Sequence, residues 1–244
     1  MSQRLRQILA ARNLSALHLQ RIARLRTVPA GQLPGGTLYQ DGTFDEPLDA
    51  TVLSGTVRLQ GKKGAGAGKF LYSLGAPLPA TVYTMRYDPD FTQLSNTGKD
   101  ALVGFGFRVS GNGAYHLPGL KGDGASGLNA ARITGSNFNT GAGTVSTISA
   151  ADYGTQAGPN WLRLTTSADL STYTLESSSD GVTWGTETAG AALSLTAAEF
   201  GVAAYFPATD VGLFTVAITL WQSSADAASL GQSIGLLLAL TKAS

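Results

Sequence analysis

Between residues 161 and 221 apolar side chains recur at every second position. Over Trp161–Thr165, Leu162 and Leu164 fall on one face and Arg163 and Thr165 on the other. Thr172–Ser177 sets Tyr173 and Leu175 together on one side. Asp180 and Gly181 then supply a tight turn, since both tolerate the positive φ of a twisted hairpin, and Val182 and Trp184 return on one face. In the last run Phe214, Val216, Ile218 and Leu220 oppose Thr215, Ala217, Thr219 and Trp221. A period of two is the period of a strand, so this stretch predicts an antiparallel sheet with one face covered.

The same alternation continues upstream. Val57 and Leu59 begin it, strands follow at 70–75 and 80–87, and Tyr83, Met85 and Tyr87 share a face. Val103, Phe105, Phe107 and Val109 alternate with Leu102, Gly104, Gly106 and Arg108. Glycines opposite an aromatic row let another backbone approach closely. Gly111-Asn112-Gly113 turns the chain into Ala114–Leu117, and a short strand is expected at Ala130–Thr134 within a loop-rich stretch, 119–160.

These elements together resemble a concanavalin A-like (laminin-G-like) jelly roll. The resemblance rests on WLRL, YTLESSSDGVTW, FGVAAYF and FTVAITLW, and extends to GFGFRVSGNGAYHLPGL, ARITGSN and TVYTMRYDPDF, covering 44–222. It implies an all-β antiparallel sandwich and a lectin-like domain. It does not bring the family's catalytic branch with it. That branch sets carboxylates at alternate positions on one strand, about 5 Å apart for retaining chemistry. None of Glu46, Glu176, Glu187 and Glu199 has such an acidic neighbour on a predicted strand. No enzyme is expected, no cofactor and no metal site. Asp88 and Asp90 flank Pro89, where a turn is favoured over a calcium site needing more oxygens. The stretch GKKGAGAGK at 61–69 lacks the Ser/Thr and the helix of a phosphate-binding loop, and reads as a mobile surface loop.

A sugar site in such a fold needs aromatic faces beside hydrogen-bonding groups. Tyr87, Tyr115, His116 and Tyr205 are the candidates, with Trp184 expected to be buried.

The two ends do not belong to a jelly roll. Residues 1–28 predict a basic amphipathic helix. Its assembly residues are Arg4, Leu5, Ile8, Leu9, Arg12, Leu17, Arg21, Ile22, Arg24 and Leu25. Residues 29–43 form a Pro/Gly linker, 44–222 the sandwich, and 223–244 a tail whose apolar run Ile234–Leu240 is expected to be a subunit contact. Of the 17 basic residues, six lie in the first 40 positions with no acid, so the remaining 11 face all 16 acidic residues. The basic character is therefore an appendage. The helix stripe needs a partner: its own domain, further copies, or a larger body, the last being expected. A nucleic-acid arm is the weaker alternative. No uninterrupted apolar segment near the start reads as a secretory signal, and no run is long enough to span a bilayer. There are no cysteines.

The expectation is a homo-oligomeric virion component of a phage or phage-like particle. It would be a tail, fibre, spike or capsid decoration exposed on the surface, docked to other virion proteins and displaying a lectin-like domain toward cell-surface glycans. The alternative is a free carbohydrate-binding module.

Overall fold

A computed structural model describes residues 36–41, 44–45, 48–53, 56–95, 100–111, 113–122, 128–139, 143–149 and 160–224. The expected N-terminal helix and the apolar tail beyond 224 lie outside the described residues, as does Glu46.

The described chain is an all-β sandwich, as the alternation predicts. Its strands are β1 (Thr37–Gln40), β2 (Asp49–Leu53), β3 (Thr56–Lys63), β4 (Gly68–Gly75), β5 (Val82–Asp90), β6 (Leu102–Arg108) and β7 (Tyr115–Gly122). They continue as β8 (Leu128–Gly135), β9 (Thr144–Ser149), β10 (Asn160–Thr166), β11 (Thr172–Ser178), β12 (Gly185–Ala192), β13 (Glu199–Phe206) and β14 (Gly212–Ser223). One seven-stranded sheet runs β1-β4-β13-β6-β7-β8-β9, and the other β12-β11-β10-β5-β14-β3-β2. Every pairing between these strands is antiparallel. The arrangement is consistent with a lectin-like jelly roll.

The core lies between the sheets. Phe105, Phe107 and Phe200 of the first sheet meet Tyr83 and Trp221 of the second, and Phe70 and Phe206 meet Phe214. Leu162, Leu164, Tyr173 and Leu175 point inward as their period requires. A second apolar layer covers the far face of the first sheet, where Leu71, Leu102, Tyr115, Leu117, Ile133 and Tyr205 pack with Phe138 from the β8–β9 loop. The expected glycine approach is real. Gly104 pairs with Gly119, and a Cβ on Gly104 would meet the Pro118 carbonyl oxygen at 2.1 Å.

Several expectations need correction. The sandwich starts inside the supposed linker, because β1 pairs with β4. The last strand does not alternate uniformly. A register shift between Ile218 and Leu220 inserts an extra residue, so Trp221 turns into the core and Leu220 stays half-exposed. The β11–β12 connection is a six-residue loop, 179–184, rather than a two-residue turn. Asp180 Oδ1 accepts from the N–H groups of Val182 and Thr183, both at 2.8 Å, and Gly181 takes φ 74°. Val182 is thereby left 80% exposed.

The glycine–lysine stretch is not a surface loop. β3 runs to Lys63 and β4 starts at Gly68, and both Lys63 and Lys69 are fully buried. Lys63 Nζ donates to the carbonyls of Gly64 and Gly66. Lys69 Nζ meets Asp41 Oδ2 at 3.1 Å beneath the rings of Tyr115 and Phe138. Glycine-rich sequence here supplies inward carbonyls to a buried ammonium.

Both ends of the described chain leave from one end of the sandwich. The Gly36 N–H donates to the Tyr72 hydroxyl at 3.1 Å, and Thr37 pairs with Ser73, which pairs with Gly201. The neighbouring Phe200 packs on Tyr83 at 4.4 Å between ring centroids. Tyr83 pairs with Ser223, and the Val82 N–H donates to Ser224 Oγ at 3.0 Å. From Val82, β5 runs nine residues away to Asp90 at the opposite end, roughly 25–30 Å.

Candidate functional site

The four aromatic candidates do not form a sugar site. Tyr87 and His116 face the core between the sheets, and Tyr115 and Tyr205 lie in the layer under Phe138. None is more than 5% exposed. Tyr87 and His116 point inward, and the outer face of the first sheet, which carries Tyr115 and Tyr205, is roofed by the loop that bears Phe138. Burial pushes the Tyr115 hydroxyl up to about 12 and the Tyr87 hydroxyl higher still. The assembly residues Arg4 to Leu25 lie outside the described residues.

Asp88 and Asp90 belong to β5 itself. Among the described residues β10 pairs with β5 as far as Tyr87, and Pro89 lies beyond that pairing. Asp90 Oδ1 accepts from the Thr92 N–H at 3.1 Å and the Thr92 hydroxyl at 2.7 Å, which holds its carboxyl below the usual range. Among the described residues no three His, Asp or Glu side chains gather as a metal site would need. The described glutamates are each engaged. Glu176 pairs with Arg163, Glu187 accepts from Ser177, and Glu199 accepts from Tyr39 and Ser73.

An open groove of about 310 Å³ lies on the solvent face of the second sheet, at the end opposite Gly36 and Ser224. Its lining is Asp49, Gln60, Gly61, Gln93, Leu213, Phe214 and Thr215. Asp49, Gln60 and Thr215 form one row across β2, β3 and β14, each directly opposite the next. Gln93 comes from the loop after β5. That loop is tied down by Ser95, whose N–H donates to the Val211 carbonyl at 2.8 Å and whose hydroxyl donates to the Thr209 carbonyl at 2.6 Å. The loop lies so close that a Cβ on Gly212, at φ 135°, would meet the Gln93 carbonyl oxygen at 2.2 Å. Only glycine fits both that backbone and that approach.

The groove is chemically suited to a polyhydroxylated ligand. The carboxamides of Gln60 and Gln93 make no hydrogen bond among the described residues. Each offers a donor pair and an acceptor. Asp49 Oδ2 accepts from Thr51 Oγ1 at 2.9 Å, and its other oxygen makes no hydrogen bond among the described residues. Leu213, 48% exposed, gives an apolar wall for C–H surface. The volume sits at the small end of the roughly 300–1,000 Å³ of small-molecule sites. Sequence reasoning missed these residues. The available signal was Leu213, an apolar residue at an outward position beside inward Phe214.

No family model matches the chain, and no curated protein matches it. Its fold is similar to that of solved structures. A functionally unknown protein from Saccharomyces cerevisiae is 19% identical, with 78% of this chain and 96% of that chain covered and a TM-score of 0.51. A legume lectin-like domain from Entamoeba histolytica is 8% identical over 76% of this chain and 88% of that one, TM-score 0.46. The carbohydrate recognition domain of Emp46p is 13% identical over 80% and 90%, TM-score 0.41. The first likeness bears on fold alone, and the scores of the other two carry no argument about activity.

Proposed function

We propose that the chain is a non-catalytic glycan-binding attachment domain, held at one end of its sandwich and reading sugars at the other. The observation that carries this reading is the placement of Gly36 and Ser224 at one end and of the Asp49–Gln60–Thr215 groove at the opposite end. A domain tethered through both termini presents its far end to whatever approaches. The groove's free carboxamides, carboxylate and hydroxyl are the groups that exchange hydrogen bonds with sugar hydroxyls.

The setting we propose is the surface of a virion. The arginine-bearing N-terminal segment and the apolar run Ile234–Leu240 are its docking ends, since neither fits a self-contained jelly roll. A glycan array probed with the full chain tests the binding half: a defined set of sugars is expected, and silence across the array overturns it. Sedimentation of the same protein tests the docking half. Assemblies larger than the 25.1 kDa chain are expected, and a stable monomer that binds sugars would instead make it a free lectin.

A further inference from the structure

Three guanidinium groups stand on the solvent face of the second sheet; that of Arg58 is exposed, and the two half-buried ones, Arg86 and Arg163, differ in their partners. Arg163 is fully used: Nε and Nη2 each donate to Glu176 at 2.7 Å, and its Cζ lies 4.4 Å from the centroid of Trp184. Arg86, directly opposite Trp161 in the β5–β10 register, has no acidic partner among the described residues. Asp88 is the next residue on the same face of β5 and makes no ion pair with it. Arg86 Cζ lies over the Trp161 ring, 5.8 Å from its centroid and near the limit of a cation–π contact.

Trp161 is held in place from below. A Cβ on Gly181 would meet its Cε2 at 2.7 Å, so the bare backbone of the β11–β12 loop is the ring's backing. Trp161 and Arg86 are both half-buried, so a rigid indole and a partly desolvated cation are held together at one place. A half-buried guanidinium without an anion has lost part of its hydration and gained no carboxylate in exchange. Its planar fork matches a carboxylate in a bidentate pair, and the neighbouring indole matches the apolar face of a sugar ring.

From this geometry we infer that Trp161 and Arg86 form a second subsite, which takes the carboxylate-bearing sugar of an acidic glycan, such as a uronate or a sialate. It rests on the glycan-binding reading above. Along β5, Arg86 and the Asp90 end of the strand are four residues apart, roughly 13 Å, so an oligosaccharide of a few sugars reaches both this subsite and the groove.

The test is an array of matched glycans, each acidic sugar beside its neutral counterpart: sialylated and desialylated, uronate and methyl ester. Wild-type full chain is expected to prefer the acidic member by at least about tenfold in apparent affinity, a step of about 1.4 kcal/mol. Arg86→Gln abolishes the preference and leaves binding of neutral members in place, whereas Gln60→Ala weakens both members alike. Arg86→Lys keeps the charge and loses the fork, so its preference falls between the two and guards against a folding defect in Arg86→Gln. Equal binding of acidic and neutral members by wild type overturns the acidic subsite and leaves the lectin reading standing. A preference that survives in Arg86→Gln overturns it too. Binding to no glycan at all overturns both.

Discussion

His116 Nε2 and the Tyr173 hydroxyl meet 3.0 Å apart inside the core, one from each sheet, with their rings edge to face at 82°. Burial, helped by the positive charge of Arg132, lowers the imidazole to about 4. The folded state therefore binds fewer protons than the unfolded chain, whose imidazole titrates near 6.5. Its contribution is fully present above pH 6.5 and is lost as the pH falls toward 4. The shift corresponds to about 3 kcal/mol at most. Urea midpoints at pH 7.5 and 4.5 are expected to differ markedly in wild type, and by much less in His116→Phe. Equal slopes in the two proteins would show that His116 is not the titrating group.

Lys69 and Asp41 are both almost wholly buried and pair at 3.1 Å, with the Lys69 N–H donating to the same oxygen. Removing one member leaves the other's buried charge without this ion pair. Lys69→Met is therefore expected to cost about 3–5 kcal/mol. Adding Asp41→Asn removes that charge and should recover at least half of the loss. Chemical denaturation of the single and double variants measures this coupling, and simple additivity would contradict it.

Gly104 and Gly119 touch through bare backbone, each blocking a Cβ on the other's strand at under 3 Å. Gly104→Ala must push β6 from β7 and is expected to destabilise by about 2–3 kcal/mol, as overpacking does. Gly185→Ala meets nothing within 4 Å and is expected to change the thermal midpoint little. A neutral Gly104→Ala in the same melting experiment would mean that the strands do not approach as described.

Gln60 is exposed and makes no hydrogen bond among the described residues, so its side chain is dispensable for folding. Gln60→Ala is expected to leave the melting temperature unchanged while weakening glycan binding by about 1–2 kcal/mol, the loss of one or two hydrogen bonds. Calorimetric titration with the best sugar from the array checks both halves. Unaltered affinity would remove Gln60 from the site.

The strands with full alternation were legible because burial of one face imposes period two on them. β10, β11 and β6 fall within a residue or two of the expected limits. β1, β2, β9 and β12 are edge strands of the two sheets. An edge strand needs no covered face on both sides, so TLYQ and GTETAGAA carry no alternation to read. Lys63 and Lys69 defeated the reading differently: the Lys63 ammonium is solvated by the carbonyls of its own turn, Gly64 and Gly66, which any loop also carries, and Lys69 is paired with Asp41, 28 residues away. The sugar site failed for a third reason. Alternation shows that two faces exist, but the roof made by Phe138 comes from the β8–β9 loop, and no local pattern at Tyr115 or Tyr205 shows that it covers them. Trp184, expected in the core, is instead half-exposed under Arg163.

Hydrogen–deuterium exchange of the full chain, with and without a saturating amount of the tightest glycan from the array, tests directly where sugars bind. Protection is expected in β2, the second half of β3, the loop at 91–95 and the start of β14, around the groove at the end away from Gly36 and Ser224. Protection confined to the first sheet, or to the end that carries Gly36 and Ser224, would contradict a domain that is held at one end and reads sugars at the other.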